Sequence, residues 1–180
     1  MPLLYNQNIP MSQLKKLVLA LLLIVVNNVA GAQSNNKITM DYFRPSIGGW
    51  KGTLTYIDYG TGRPYTMPVE LILVIDRYNP ARLLLQYKYP DEPKANETDS
   101  LLISQAGKLF GNEKIISATR DDKSNVEIVT EIAGVDGNDD RKATLRHRYI
   151  ITLNSLVIRK EVKFDGESQF MMRNEYKMSR

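Results

Sequence analysis

The 180-residue chain contains no cysteine, one tryptophan and one histidine, His147. Without cysteine the chain forms no disulfide framework and carries no lipid on an N-terminal cysteine. A histidine-based metal site would need several carboxylates beside His147, so no metal site is predicted. The sequence also lacks G-x-S-x-G, H-E-x-x-H and glycine-rich phosphate motifs, and we therefore assign no catalytic residue.

Long apolar runs are also missing, because the longest one, residues 17–26, has ten residues, against about 20 for a membrane-spanning helix. Two lysines at residues 15–16 precede this run, and the small residues 30–32 (Ala-Gly-Ala) follow it. This order is typical of a secretory signal peptide. We expect cleavage before Gln33, with Met11 as a candidate true start. The product is predicted to be periplasmic or secreted, with no stable membrane span after processing.

Removal of the signal peptide, residues 1–32, leaves residues 33–180, a length typical of one domain with its own core. The removed segment contains two lysines and no acidic residue, so the formal net charge falls from +4 to +2. Nucleic-acid binding requires a clustered basic face. Basic residues are instead spread along this chain, and we predict no nucleic-acid partner.

Beyond residue 48, short segments of alternating polarity are separated by turn-forming sequences, and no long stretch has helical periodicity. This pattern predicts an all-β sandwich or an antiparallel up-and-down β-barrel. The predicted strands are residues 50–57, 67–76, 82–89, 100–105, 114–119, 126–132, 143–153, 156–164 and 170–177, with ITMDYF (38–43) as a short tenth candidate.

Alternation also predicts which side chains face inward, because successive strand residues point to opposite faces. Leu153 and Phe170 are inward by this rule. A two-residue loop at Asn154 and Ser155 would pair Tyr149 with Lys160 and bring both close to Asn174. The inward polar and aromatic residues are candidate ligand contacts: Tyr56, Tyr87, Tyr89, Thr130, His147, Tyr149, Lys160, Asn174 and Tyr176.

The opening GGWKGTL contains Gly48, Trp50 and Gly52, which resemble the G-x-W signature of lipocalins and the wider calycin superfamily. It is also similar to the opening of nitrobindin-like haem-binding barrels. The resemblance implies an antiparallel barrel of about nine or ten strands around a ligand cavity, closed at one end by Trp50. The glycines allow a tight turn and leave room beside the indole. Arg173 and Arg180 are candidate partners for stacking on the indole.

Two departures from the nitrobindin-like pattern concern the cofactor. Leu54 occupies the position of that family's third glycine, and no histidine after Leu153 corresponds to its haem ligand. We therefore expect no haem and no other cofactor.

The predicted function is binding of a small, mostly apolar or amphipathic molecule in the barrel interior. An inward lysine is costly unless it is hydrated or paired, so Lys160 indicates a wet cavity in which it orients a polar or anionic end. Two alternatives remain: an enzyme that uses Lys160 as a base or Schiff-base amine, and a filled barrel that acts as an interaction module.

The acidic sequence VDGNDD, residues 135–140, lacks calcium-loop spacing and is interpreted as a solvated turn.

Overall fold

The structure is a computed structural model that describes residues 36–180, and the predicted signal peptide lies outside the described residues. Ten strands form the domain: Gly48–Ile57 (β1), Pro64–Ile75 (β2), Arg82–Lys88 (β3), Glu97–Leu102 (β4), Leu109–Phe110 (β5), Glu113–Arg120 (β6), Val126–Asp136 (β7), Arg141–Ile151 (β8), Ser155–Phe164 (β9) and Met171–Ser179 (β10). Three single-turn 3₁₀ helices, Met40–Tyr42, Arg44–Ser46 and Pro93–Ala95, accompany them.

The strands form one antiparallel sheet in the order β4-β3-β2-β1-β10-β9-β8-β7-β6-β5. The two ends of the sheet meet where Ile103 bridges Phe110 and the Gly111 amide donates to the Leu102 carbonyl at 2.8 Å. The predicted barrel is thus confirmed as a nearly closed one. Within residues 36–180, the outer edge of β4 pairs with no strand from residue 97 to residue 100.

The segment ITMDYF is not a strand, contrary to the sequence prediction, and the tenth strand is β5. Residues 40–46 form two successive 3₁₀ turns, because Pro45 is the second residue of the second turn, where its fixed φ is compatible with the turn, and Asp41 pairs with Arg44 across the first. These turns direct Phe43 into the barrel, where its ring stacks on Phe110 at 4.7 Å. The segment therefore closes one end of the core.

Trp50 lies in that closed end and is 2% exposed. Its Nε1 donates to the Ser46 carbonyl at 2.7 Å, and the Arg180 guanidinium lies 4.3 Å from the indole centroid. The stacking partner of the indole is therefore Arg180, while Arg173 lies beside Asp136 and Tyr59. Gly52 allows the close approach of the β10 backbone and does not make room for the indole, because a Cβ there would lie 2.0 Å from the Lys177 carbonyl oxygen.

The β8–β9 hairpin differs from the predicted register by two residues. The turn is closed by the Thr152 amide, which donates to the Ser155 carbonyl at 2.8 Å, so Leu153 lies in the turn and is 73% exposed. Its predicted inward position is wrong. Tyr149 consequently pairs with Ile158, and Lys160 pairs with His147. A shift of two preserves which face each residue occupies, because the side-chain period of a strand is two.

An irregularity in β10 between Met172 and Asn174 changes the alternation at Arg173. A β-bulge of this kind redirects the side chain of the extra residue. Arg173 is 8% exposed and points toward β7 and the β1–β2 loop. Phe170 lies before β10, and its ring packs under the Arg146 guanidinium at 3.6 Å, so its predicted inward position as the first residue of a strand is wrong.

Candidate functional site

A cluster of charges lies at the end of the barrel opposite Trp50. Asp136, the last residue of β7, contacts Lys160 Nζ at 3.0 Å through Oδ1 and Arg173 Nε at 3.1 Å through Oδ2. The Tyr59 hydroxyl donates to Asp136 Oδ1 at 2.6 Å, and the Arg173 guanidinium lies 3.5 Å from the Tyr59 ring centroid. We call these residues the charged cluster. Asp136 is 8% exposed, so its interpretation as part of a solvated turn is wrong.

The carboxylate of Asp136 holds the charged cluster together. Burial alone would raise the pKa of Asp136, but hydrogen bonds from Tyr59 and Lys160 and the charges of Lys160 and Arg173 outweigh it. The net effect lowers the pKa below its usual range. The cluster borders a pocket of about 580 Å³, the charged pocket, lined by Leu54, Tyr56, Ile57, Asp58, Tyr59, Gly60, Asn138, Lys160, Arg173 and Asn174.

A second cavity of about 350 Å³ lies deeper in the barrel. We call it the tyrosine cavity, and it meets the charged pocket at Asn174, which lines both. Strands β3, β4, β6, β8, β9 and β10 contribute its wall. Its lining residues are Leu85, Tyr87, Asp99, Ser100, Leu101, Glu113, His147, Tyr149, Ile158, Asn174 and Tyr176.

Two hydroxyl groups in this wall have no hydrogen-bond partner among residues 36–180. They belong to Tyr87 and Tyr149, each of which is 6% exposed. Burial raises the pKa of both phenols, with further contributions from Tyr149 and Asp99 at Tyr87 and from Glu113 and Asp99 at Tyr149, so both remain protonated. In contrast, the hydroxyls of Tyr89 and Tyr176 contact each other at 3.0 Å. Because buried polar groups nearly always find partners, the Tyr87 and Tyr149 hydroxyls require water or a ligand.

A carboxylate–imidazole pair forms another part of the wall. Glu113 Oε1 lies 2.7 Å from His147 Nδ1, and the buried Thr130 hydroxyl donates to the other oxygen of Glu113. Burial tends to raise the pKa of Glu113, but His147, Thr130 and the charge of Lys160 outweigh it and lower the pKa. The pair fixes one edge of the imidazole, and no described residue hydrogen-bonds to the opposite edge of the ring.

The predicted ligand contacts divide into three groups. Tyr87, His147, Tyr149, Asn174 and Tyr176 line the tyrosine cavity, and Tyr56, Lys160 and Asn174 line the charged pocket. Thr130 and Tyr89 contact cavity residues through Glu113 and Tyr176, respectively. The predicted pairing of Tyr149 with Lys160 does not occur.

Sequence reasoning missed four site residues: Tyr59, Asp99, Glu113 and Asp136. Asp99, Glu113 and Asp136 lie in strands whose predicted bounds were too short, and each has the inward parity of its strand. Glu113 precedes the inward Ile115 by two residues, and Asp136 follows the inward positions 128, 130 and 132 at even spacing. Asp99 directly precedes the predicted fourth strand. Tyr59 belongs to a loop, and no pattern in the sequence indicates its contact with Asp136.

The residues from 36 to 180 contain no group of three or more His, Cys, Asp or Glu side chains arranged to hold a metal ion. The nitrobindin-like resemblance implies haem, and the wall carboxylates Asp99 and Glu113 would repel haem propionates at this cavity. The contact of His147 Nδ1 with Glu113 leaves the other ring nitrogen open, so it does not argue against a metal ligand. Over the same part of the chain, no helix has the length and apolar character needed to cross a membrane.

Comparison with known proteins gives a weak structural likeness. No family model and no curated protein matches the chain. The chain is similar to the solved crystal structure of Rv2717c from M. tuberculosis, with a TM-score of 0.46 and 16% sequence identity over 78% of this chain and 96% of that one.

Proposed function

We propose that this chain is an exported, lipocalin-like barrel that binds a small amphipathic molecule in the tyrosine cavity. The observation that carries the proposal is the pair of buried tyrosines, Tyr87 and Tyr149, whose hydroxyls line the cavity without a hydrogen-bond partner among the described residues. A cavity of about 350 Å³ falls near the lower end of the range for ligand pockets, roughly 300–1,000 Å³. Aromatic walls with a few polar groups are the usual composition of such pockets.

The alternative functions have less support. Lys160 donates to Asp136 and shares this carboxylate with Arg173, so its ammonium is an ion-pair partner and not a free amine base. The same pairing weakens the interpretation of Lys160 as the anchor for an anionic ligand. A filled barrel would leave the Tyr87 and Tyr149 hydroxyls unsatisfied, which costs about 1–3 kcal/mol for each group.

The test is native mass spectrometry of the protein purified from its own host. We expect a retained small molecule that is lost on denaturation. Asp99→Trp should exclude it, because Asp99 lines the cavity, whereas Thr98→Trp is the matched control on the opposite face of the same strand. A protein without adduct that also binds no member of an amphiphile panel would contradict the proposal and favour the filled barrel.

Export has its own test, because it rests on the sequence pattern of residues 1–32. The intact mass of the exported protein should correspond to a chain that starts at Gln33. A full-length mass in a membrane fraction would exclude cleavage at this site.

A further inference from the structure

The tyrosine cavity has a negative wall. Its lining contains the carboxylates Asp99 and Glu113 and no lysine or arginine. Among residues 36–180, no cation lies within ion-pair distance of Asp99, whereas Glu113 contacts His147 and Thr130 and is also stabilised by the charge of Lys160. The nearest inward cations, Lys160 and Arg173, both contact Asp136 and line the other pocket.

The position of β4 explains why Asp99 reaches the cavity. Asp99 pairs with Leu85 and Glu97 pairs with Tyr87, so both carboxylates lie on the same face of the sheet as these buried residues. On its other side, β4 has no strand partner at residues 97–100 among the described residues, so the edge beside these carboxylates is left open. The charges of Asp99 and Glu97 also contribute to the raised pKa of Tyr87, after burial and Tyr149. A molecule that enters here meets the negative charge of Asp99, an exposed carboxylate without an ion-pair partner among the described residues.

The other groups in the wall suit a hydrogen-bond donor. The Tyr87 and Tyr149 hydroxyl oxygens can accept from N–H groups, and aromatic faces attract cations. An ammonium group therefore matches the carboxylates, the free hydroxyls and the rings together. A carboxylate would be repelled by Asp99 and Glu113.

From this combination we infer that the tyrosine cavity binds a protonated primary or secondary amine attached to a small apolar group. The inference rests on the proposed function of the cavity as a ligand site, and it reverses the sign of the ligand charge expected from Lys160 alone. The ammonium lies between Asp99 and the hydroxyls of Tyr87 and Tyr149, and the apolar group contacts Leu85 and Ile158.

Calorimetric titration with three probes of matched shape tests the inference: 2-phenylethylamine, 2-phenylethanol and phenylacetate at pH 7. We expect the amine to bind about tenfold more tightly than the alcohol, since a charge-assisted hydrogen bond is roughly twice as strong as a neutral one. Phenylacetate should bind most weakly. Asp99→Asn should reduce amine affinity about tenfold and leave alcohol affinity unchanged, whereas Asp91→Asn, an exposed control outside the cavity, should change neither.

Two further variants identify the groups involved. Tyr149→Phe should weaken the amine and the alcohol alike, because it removes a hydroxyl and no charge, while Glu113→Gln should weaken only the amine. Near-ultraviolet circular dichroism checks that each variant is folded. Equal affinities for amine and alcohol, or preferential phenylacetate binding that Lys160→Met abolishes, would overturn the inference and leave the ligand-binding function intact. If the wild-type protein binds none of the three probes, the inference is wrong, and the host-purified sample then decides the proposed function separately.

Discussion

At one end of the barrel interior, Trp50 is buried in the same apolar core as Phe43 and Phe110, and its indole Nε1 donates to the Ser46 carbonyl. At the other end, Lys160, Asp136 and Arg173 fill corresponding inward positions with charge. Trp50, Lys160 and Asp136 follow the same strand alternation, which decides the face and not the chemistry of the face, whereas Arg173 faces inward because of the irregularity in β10. The apolar end stabilises the fold by burial, whereas the charged end needs complete pairing to offset its desolvation. The four predictions that follow test this contrast, beginning with the largest effect.

Gly52→Ala should have the largest effect because it acts on the backbone of the apolar end. The added Cβ would lie 2.0 Å from the Lys177 carbonyl oxygen, which forces β1 and β10 apart. We expect a loss of more than about 4 kcal/mol in unfolding free energy, the range of severe core defects. Urea unfolding measures it. Gly49→Ala is the control, because a Cβ there meets no atom within 4 Å, and an equal loss in the control would exclude the backbone-contact explanation.

Trp50→Phe tests the side-chain part of the same end. The smaller ring removes the hydrogen bond to Ser46 and reduces the contact with Arg180. We expect the free energy of unfolding to fall by about 1–3 kcal/mol, the usual cost of leaving a buried polar group unpaired. Chemical denaturation provides the measurement. Arg180→Ala removes the stacking together with hydrogen bonds to the Pro45, Ile47 and Leu153 carbonyls, so a smaller loss than in Trp50→Phe would show that the Trp50–Ser46 hydrogen bond dominates.

Arg173→Met tests the charged end and should cost less than the two changes above. Asp136 would retain its contacts with Lys160 and Tyr59. We therefore expect the free energy of unfolding to fall by about 1–2 kcal/mol rather than by the roughly 3–5 kcal/mol for isolating a buried charge. In the Arg173→Met/Asp136→Asn double variant, part of this loss should be recovered, because the carboxylate is then absent. Strictly additive losses would show that the two residues are not coupled.

The last prediction concerns thermal stability at acidic pH. The pKa of Asp136 is lowered in the folded protein, so its stabilising contribution is complete above the unfolded value of about 4. The contribution is lost as pH falls through the folded-state pKa. Thermal melts between pH 7 and pH 3 should therefore show a smaller decrease in Tm for Asp136→Asn than for the wild type. Parallel pH profiles would contradict this role of Asp136.

The sequence predicts the strands of the barrel well, because alternation and turn residues are local signals. The β8–β9 register was not predictable in the same way. A two-residue loop at Leu153-Asn154 and one at Asn154-Ser155 both preserve the inward face, and the contacts of Thr152 with Ser155 are found in the first. The 3₁₀ cap at residues 40–46 was missed because ITMDYF alternates like a strand.

The candidate site was predicted in part. The tyrosines and His147 follow from alternation within predicted strands, and the structure places Tyr87, Tyr149 and Tyr176 around one cavity. The carboxylates that give this cavity its charge were missed. Glu113 and Asp136 lie at strand ends beside turn-forming residues, where the boundary between strand and loop is least certain from sequence. Arg173 depends on a bulge, which leaves no signal in the alternation itself.

The unpaired edge of β4 has a consequence for the rate of ligand exchange. Its first four residues are exposed and bonded to β3 alone among the described strands, so separation of this segment breaks few contacts. Local opening of such a segment requires far less free energy than global unfolding. We expect the amides of β4 to exchange with deuterium earliest among the long strands, and the release of a bound molecule to follow the fraying of this one strand.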